Sequence, residues 1–184
     1  MILDVIKGGL LRWKCSPYMP SFPDKPSRTV LVVEDSEDDI LLLSMTLRQA
    51  KIPWKIAAAL PDGEHAIAWL QKAYLGDNPE SRCEIDLLLV DLKMPRKDGF
   101  DVLRWVKAHL PGRFRIVVFS SSLVLSDIVR ARELGADFYH AKPVSTEERL
   151  EVVRYLERCL FSGELAWNED DATRHFESML NSAL

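Results

Sequence analysis

Between residues 28 and 161 five short apolar runs alternate with five amphipathic stretches, and this alternation constrains the fold more than any other feature of the chain. Thr29–Val33 precedes helical spacing over Asp38–Ala50, and Trp54–Leu60 precedes Asp62–Tyr74, where Ala66, Trp69, Leu70 and Ala73 share a face. A loop at Gly76-Asp77-Asn78-Pro79 leads to Ile85–Leu92 and then to a helical Phe100–Leu110. Arg115–Phe119 precedes Leu125–Leu134, and Asp137–Ala141 precedes Thr146–Phe161. Leu87-Leu88-Leu89-Val90 is apolar at every position, as a strand buried on both faces must be. The spacing therefore predicts an α/β chain, a doubly wound parallel sheet with helices on both sides. In such a sheet polar site residues gather beyond the carboxyl ends of the strands. Here those exits read Glu34-Asp35, Asp91, Ser120 and Lys142-Pro143.

Composition narrows the partners. With 24 basic and 28 acidic residues the net charge is −4, so no global electrostatic attraction to nucleic acid or anionic lipid is expected. Cys15, Cys83 and Cys159 are odd in number and far apart, which argues against a disulfide framework or a zinc cage and favours the cytoplasm. No apolar run approaches the roughly 18–20 residues of a membrane span. In residues 1–14, Asp4 and Lys7 break the apolar stretch and Gly8-Gly9 interrupts any helix, so the segment reads as a flexible arm or docked peptide rather than a signal peptide. Pro17, Pro20, Pro23 and Pro26 make the following stretch an extended linker. The expected organisation is an N-terminal extension and linker over 1–27, one domain over 28–161, and a tail over 162–184 with a short helix capped by Asp170.

Taken singly, the exit residues are unremarkable. Glu34, Asp35 and Ser36 suit the cap of the next helix, Asp91 suits a turn, Lys142 a solvated surface, and Ser120 alone says nothing. Together they change meaning, because the fold brings them to one edge. Two like charges about 4 Å apart repel by about 4 kcal/mol at an effective dielectric near 20, so Glu34, Asp35 and Asp91 together need a cation. A hard divalent ion suits such oxygen-only ligands. His65, His109, His140 and His175 show no ligand spacing, and no Gly-rich loop ends in Gly-Lys-Ser/Thr.

The set Val30-Leu31-Val32-Val33-Glu34-Asp35, Leu89-Val90-Asp91-Leu92-Lys93-Met94-Pro95 with Asp98-Gly99, Val117-Val118-Phe119-Ser120-Ser121-Ser122, and Leu134-Gly135-Ala136-Asp137-Phe138-Tyr139-His140-Ala141-Lys142-Pro143 resembles the receiver domain of two-component response regulators. Asp35-Ser36-Glu37-Asp38-Asp39 and Met94-Pro95-Arg96-Lys97-Asp98-Gly99 look most like the small stand-alone regulators that serve phytochrome-type kinases. The resemblance implies a flavodoxin-like (βα)5 sheet of strand order 2-1-3-4-5. It implies that Asp91 accepts a phosphoryl group from a sensor histidine kinase, and that Mg2+ is held by Asp35, Asp91 and the backbone carbonyl of Lys93, with Glu34 nearby or acting through water. Lys142 and Ser120 would contact phosphoryl oxygens, and Ser120 and Tyr139 would form the switch, with Tyr139 rotating into space that Ser120 vacates. The Lys142–Pro143 peptide would be cis. Glu34 stands where many receivers carry aspartate, and Ser120 replaces the commoner threonine while keeping the hydroxyl.

About 23 residues follow Phe161, too few for a helix-turn-helix or a catalytic domain, so output is expected from the receiver itself. In Thr146–Phe161 the stripe Leu150, Val153, Leu156 and Leu160 is accompanied by Val152, Tyr155 and Cys159, more apolar positions than one face buries. That surplus suggests a homodimer or partner surface, or cover by the tail. The rival readings are a pseudo-receiver that binds partners constitutively and an intermediate phosphocarrier in a multistep relay.

Overall fold

The computed structural model describes residues 3–6, 10–13, 27–122 and 124–162. In chain order the elements are strands β1 (Leu3–Ile6), β2 (Leu10–Trp13) and β3 (Arg28–Val33), helix α1 (Glu37–Ala50), β4 (Trp54–Leu60), α2 (Gly63–Leu70), β5 (Leu87–Val90), α3 (Gly99–His109), β6 (Arg115–Ser120), α4 (Leu125–Glu133), β7 (Phe138–Ala141) and α5 (Thr146–Glu157). The strands form one sheet in the order β1-β2-β7-β6-β5-β3-β4. Its five parallel members run β4-β3-β5-β6-β7, the 2-1-3-4-5 order of a flavodoxin-like fold.

Period-two side-chain alternation splits the core into two layers. Leu31, Val33, Leu88, Val90, Ile116 and Val118 point to the side covered by α2, α3 and α4. Val30, Val32, Leu87, Leu89 and Val117 point to the other, beneath α1 and α5. Strand order reverses at β3, whose neighbours are β4 and β5, so the carboxyl ends of β3 and β5 open onto the crevice between the two layers of helices. Each crossover helix that follows β3, β4, β5 and β7 begins with a side chain that accepts from the backbone of its first turn. Ser36 caps α1, Asp62 caps α2, Asp98 caps α3 in a reciprocal box with Asp101, and Ser145 caps α5.

Three expectations change. The extension is not simply linker: β1 and β2 form an antiparallel hairpin, and β2 pairs with β7 through Leu11 opposite Tyr139 and Arg12 opposite Phe138. Main-chain pairing satisfies an edge that a five-stranded sheet would leave open. The proline-rich stretch and the tail helix lie outside the described residues. Part of the apolar surplus of α5 is absorbed within the domain: Val152 is buried together with Val153, Leu156 and Leu160 of the stripe, and the half-buried Tyr155 packs edge-on to Phe138, while the Cys159 side chain is outside what the structure describes. A wide helical turn at Arg158–Ser162 brings Phe161 against Trp54. Burial of each such side chain contributes about 1.5–3 kcal/mol to the domain itself. Finally, no cis peptide occurs among the described residues, so Lys142–Pro143 is trans, the isomer favoured by about 0.5–1 kcal/mol. No helix among the described residues is long and apolar enough to cross a membrane.

Candidate functional site

Adjacent strand exits bring the acidic residues together. The Asp91 N–H donates to the Val33 carbonyl (2.9 Å) and the Glu34 N–H to the Leu60 carbonyl (2.9 Å), so β3 and β5 end side by side with a carboxylate on each. Ser36 alone caps α1, and its N–H donates to Glu34 (3.1 Å), turning the Glu34 side chain back toward the sheet. Glu34 and Asp91 are buried and Asp35 is exposed at the rim. One oxygen from each of the three lies within 4.8 Å of the others, an all-oxygen set that fits a hard divalent cation.

Lys142, expected at the phosphoryl oxygens, lies in this cluster. Its ammonium donates to Glu34 (2.9 Å), to Asp39 (2.7 Å) and to Asp91 (2.8 Å). An ammonium has three protons and each faces a carboxylate. Burial works against the charge, yet bonds to Asp39, Asp91 and Glu34 raise the Lys142 pKa well above the ordinary lysine value. Burial raises the Glu34 pKa, an effect only partly offset by the hydrogen bonds from Lys142 and Ser36. The carboxylate cluster thus holds a positive charge against two of its members, Glu34 and Asp91. A cavity of about 80 Å³ leads from these side chains toward Leu43, Val152 and Val153, giving the site an apolar wall.

The loop after Asp91 is built closely around it. The Lys93 N–H donates to Asp91 (3.1 Å), while the Lys93 side chain is exposed. The Gly99 N–H donates to the Leu92 carbonyl, and a Cβ on Gly99 would stand 2.1 Å from the Asp91 carbonyl oxygen, so only glycine admits α3 this close. Arg96, at φ 62°, reaches back to the fully buried Asp62 through Nε (2.6 Å) and its terminal nitrogen. Burial opposes the Asp62 charge, but bonds from the His65 backbone and from Arg96 hold its carboxyl well below the usual carboxylate range. The pair clamps the loop to the start of α2, where the Gly63 N–H also donates to the Lys97 carbonyl.

Ser120 ends β6, fully buried, and its carbonyl accepts from the Lys142 N–H (3.0 Å). Its hydroxyl oxygen accepts from the Ser122 N–H (3.2 Å), and the Ser122 carbonyl accepts from the Tyr139 hydroxyl (2.6 Å). Tyr139 is only 1% exposed and burial pushes its pKa up to about 12. The Tyr139 ring thus lies inside the fold, held through its hydroxyl by the Ser122 carbonyl.

Sequence reasoning placed Glu34, Asp35, Asp91, Lys142 and Ser120 at one edge, and the structure gathers them there. It missed Asp39, Asp62, Arg96 and Ser122. Asp39 was detectable as a carboxylate one helical turn beyond Asp35. The others meet through long-range or turn contacts, Arg96 with Asp62 and Ser122 with Ser120, Asp127 and Tyr139, that residue types do not announce.

A response regulator receiver domain model matches residues 30–154. Response regulator Rcp1 of Synechocystis sp. is 30% identical over 133 residues, covering 72% of this chain and 88% of Rcp1. The transcriptional regulatory protein RprY of Bacteroides fragilis is 33% identical, and the chain spans only 44% of its length. Among solved structures, the phosphorylated cyanobacterial phytochrome response regulator RcpA superposes with a TM-score of 0.61 at 30% identity, covering 72% of this chain and 92% of RcpA. The Mn2+-bound form of Rcp1 superposes equally well, at a TM-score of 0.61 and 30% identity, covering 71% of this chain and 92% of that one. A doubly wound sheet with this exit constellation defines a phosphoryl-accepting module of two-component signalling. The chain belongs to the response regulator receiver domain family.

Proposed function

We propose that this chain is a stand-alone response regulator in which Asp91 attacks the phosphorus of a kinase phosphohistidine. An O–P bond forms to the carboxylate, the N–P bond breaks, and the electron pair stays on the imidazole. The observation that carries this reading is the Lys142 ammonium held between buried Glu34 and Asp91, at the exits of the two strands beside the switch in strand order. Such transfer depends on positioning and on cations more than on covalent help. Mg2+, held by Glu34, Asp35, Asp91 and the Lys93 carbonyl, would supply charge that neutralises the incoming phosphoryl oxygens. Lys142 then turns from the Asp91 carboxylate to a phosphoryl oxygen, and the Ser120 hydroxyl donates to another. Similarity to RcpA and to Mn2+-bound Rcp1 supports both the metal and a phytochrome-type sensor kinase as partner.

Output is proposed to run from Ser120 through Ser122 to α4, where Val124, Leu125 and Val129 are exposed and available to a second copy or a partner. Incubation with acetyl phosphate and Mg2+, followed by intact-mass analysis, tests the acceptor. One phosphoryl group is expected, lost in Asp91→Asn and suppressed by chelator. Equal modification of Asp91→Asn would overturn the assignment. Sedimentation with and without a beryllofluoride mimic tests the output, and identical association and partner affinity in both states would refute it.

A further inference from the structure

We infer that Asp39 is a positioning residue that keeps Lys142 in the site when a divalent cation takes its other two partners; the inference rests on the reading of Asp91 as phosphoacceptor. Among the described residues Lys142 has three carboxylate partners, and two of them, Glu34 and Asp91, belong to the cluster suited to a metal ion. A cation there competes for the same oxygens and repels the ammonium. Asp39 stands outside that cluster, 2.7 Å from the Lys142 ammonium, and is half-exposed where Glu34 and Asp91 are buried. Its backbone is pinned, because the Asp39 N–H donates to the capping Ser36 hydroxyl (3.2 Å), so the carboxylate is offered from a fixed turn of α1. Among the described residues Asp39 is therefore the partner whose hold on Lys142 survives metal binding, and it leaves the ammonium poised beside Asp91.

The bland alternative is a helix-terminal acid that merely favours the α1 dipole. Asp38, exposed in the same first turn and making none of the Lys142 contacts, supplies the control for that role. The full chain and its Asp39→Asn, Asp39→Glu and Asp38→Asn variants would be compared at saturating Mg2+, where small losses of cation affinity do not register. Asp39→Asn should slow acetyl phosphate modification of Asp91 about tenfold, the scale of one partly solvated charge-assisted hydrogen bond. Asp39→Glu should recover part of the rate, and Asp38→Asn should stay within about twofold, as a screened helix-end charge would. In a Lys142→Met background Asp39→Asn should change nothing further. Side-chain ammonium NMR of the unphosphorylated, Mg2+-loaded protein gives a second readout: the Lys142 signal should remain hydrogen-bonded in the unaltered chain and in Asp38→Asn, and become solvent-like in Asp39→Asn. Matching behaviour of Asp39→Asn and Asp38→Asn in both readouts, or an undiminished Asp39→Asn effect without Lys142, would overturn the inference. A chain that acetyl phosphate never modifies would instead refute the role of Asp91, and the ammonium signal would still decide that of Asp39.

Discussion

Gly99→Ala tests how tightly the fold is built around the acceptor. The added Cβ would stand 2.1 Å from the Asp91 carbonyl oxygen and 2.8 Å from the Leu92 Cα, contacts with backbone rather than with a side chain that could rotate away. A normal contact needs about 1 Å more, so the start of α3 must lift from the exit of β5. Lifting strains the bond from the Gly99 N–H to the Leu92 carbonyl (3.1 Å) and the Asp98–Asp101 cap beside it. Overpacking of this kind costs about 1–3 kcal/mol and a weakened cap about 1 kcal/mol, against about 0.5–1 kcal/mol gained from the better helix former. The expected net loss is about 2 kcal/mol, which lowers Tm by roughly 4–8 °C in a domain of this size. Because the displaced carbonyl belongs to Asp91, acetyl phosphate modification should slow in the same variant. Gly63→Ala is the milder comparison, since one of its close neighbours is the movable Val102 side chain (2.9 Å). Thermal unfolding and modification rates measured together decide the matter. An unchanged Tm with an unchanged rate would show that α3 does not constrain Asp91 as described.

Lys142→Met should lower stability in the absence of Mg2+, because Glu34, Asp39 and Asp91 lose their shared cation, and Mg2+ should restore more Tm in this variant than in the unaltered chain. Stability should fall as pH rises above about 10: Tyr74 and Tyr139 stay protonated to about 12 and Lys142 stays charged above its ordinary value, while all three lose protons earlier in the unfolded chain. Tyr139→Phe should reduce that alkaline slope in urea titrations across pH. Asp62 acts at the other end, since a carboxyl held below its ordinary value contributes stability that is lost as pH falls below about 4; Arg96→Ala should lower stability at pH 7 and flatten the acid limb.

What the chain's pattern announced and what it concealed divide along physical lines. The runs around Leu31, Leu88 and Val117 are apolar on both faces because helices cover both sides, and that periodicity is written residue by residue, so strand order and exit residues were legible. The hairpin was not, because Leu3–Ile6 and Leu10–Trp13 are four-residue stretches interrupted by Asp4 and Arg12, too short and too mixed to announce strands. Nor was the burial of Val152 beside Val153 on α5, since a helix wedged against a twisted sheet buries a wider stripe than a lone helical wheel implies, and the wide turn at Arg158–Ser162 resets the register besides. At the site, charge types were readable but their pairing was not. Lys142 looks like a phosphoryl ligand in sequence, and only geometry shows it neutralising three carboxylates first.

That pairing bears on how a signal leaves the site. Lys142 is tied twice, by its ammonium to the acidic cluster and by its N–H to the Ser120 carbonyl, so the exits of β6 and β7 move as one. Tyr139 is buried and bonded to the Ser122 carbonyl, so the ring and the Ser120–Ser122 turn are linked. A modification biases two states only by what it gains in one over the other. The gain available here is a bond donated by the Ser120 hydroxyl to a phosphoryl oxygen, reached by a shift of the side chain toward Asp91 that stretches the bond it accepts from the Ser122 N–H. Ser122 also donates to Asp127 (2.6 Å) in the first turn of α4, so releasing its N–H loosens the segment that leads into the exposed Val124, Leu125 and Val129. Ser122→Ala should then mimic part of the phosphorylated response in sedimentation while leaving Asp91 open to modification. An unaltered response in that variant would return the switch to β7.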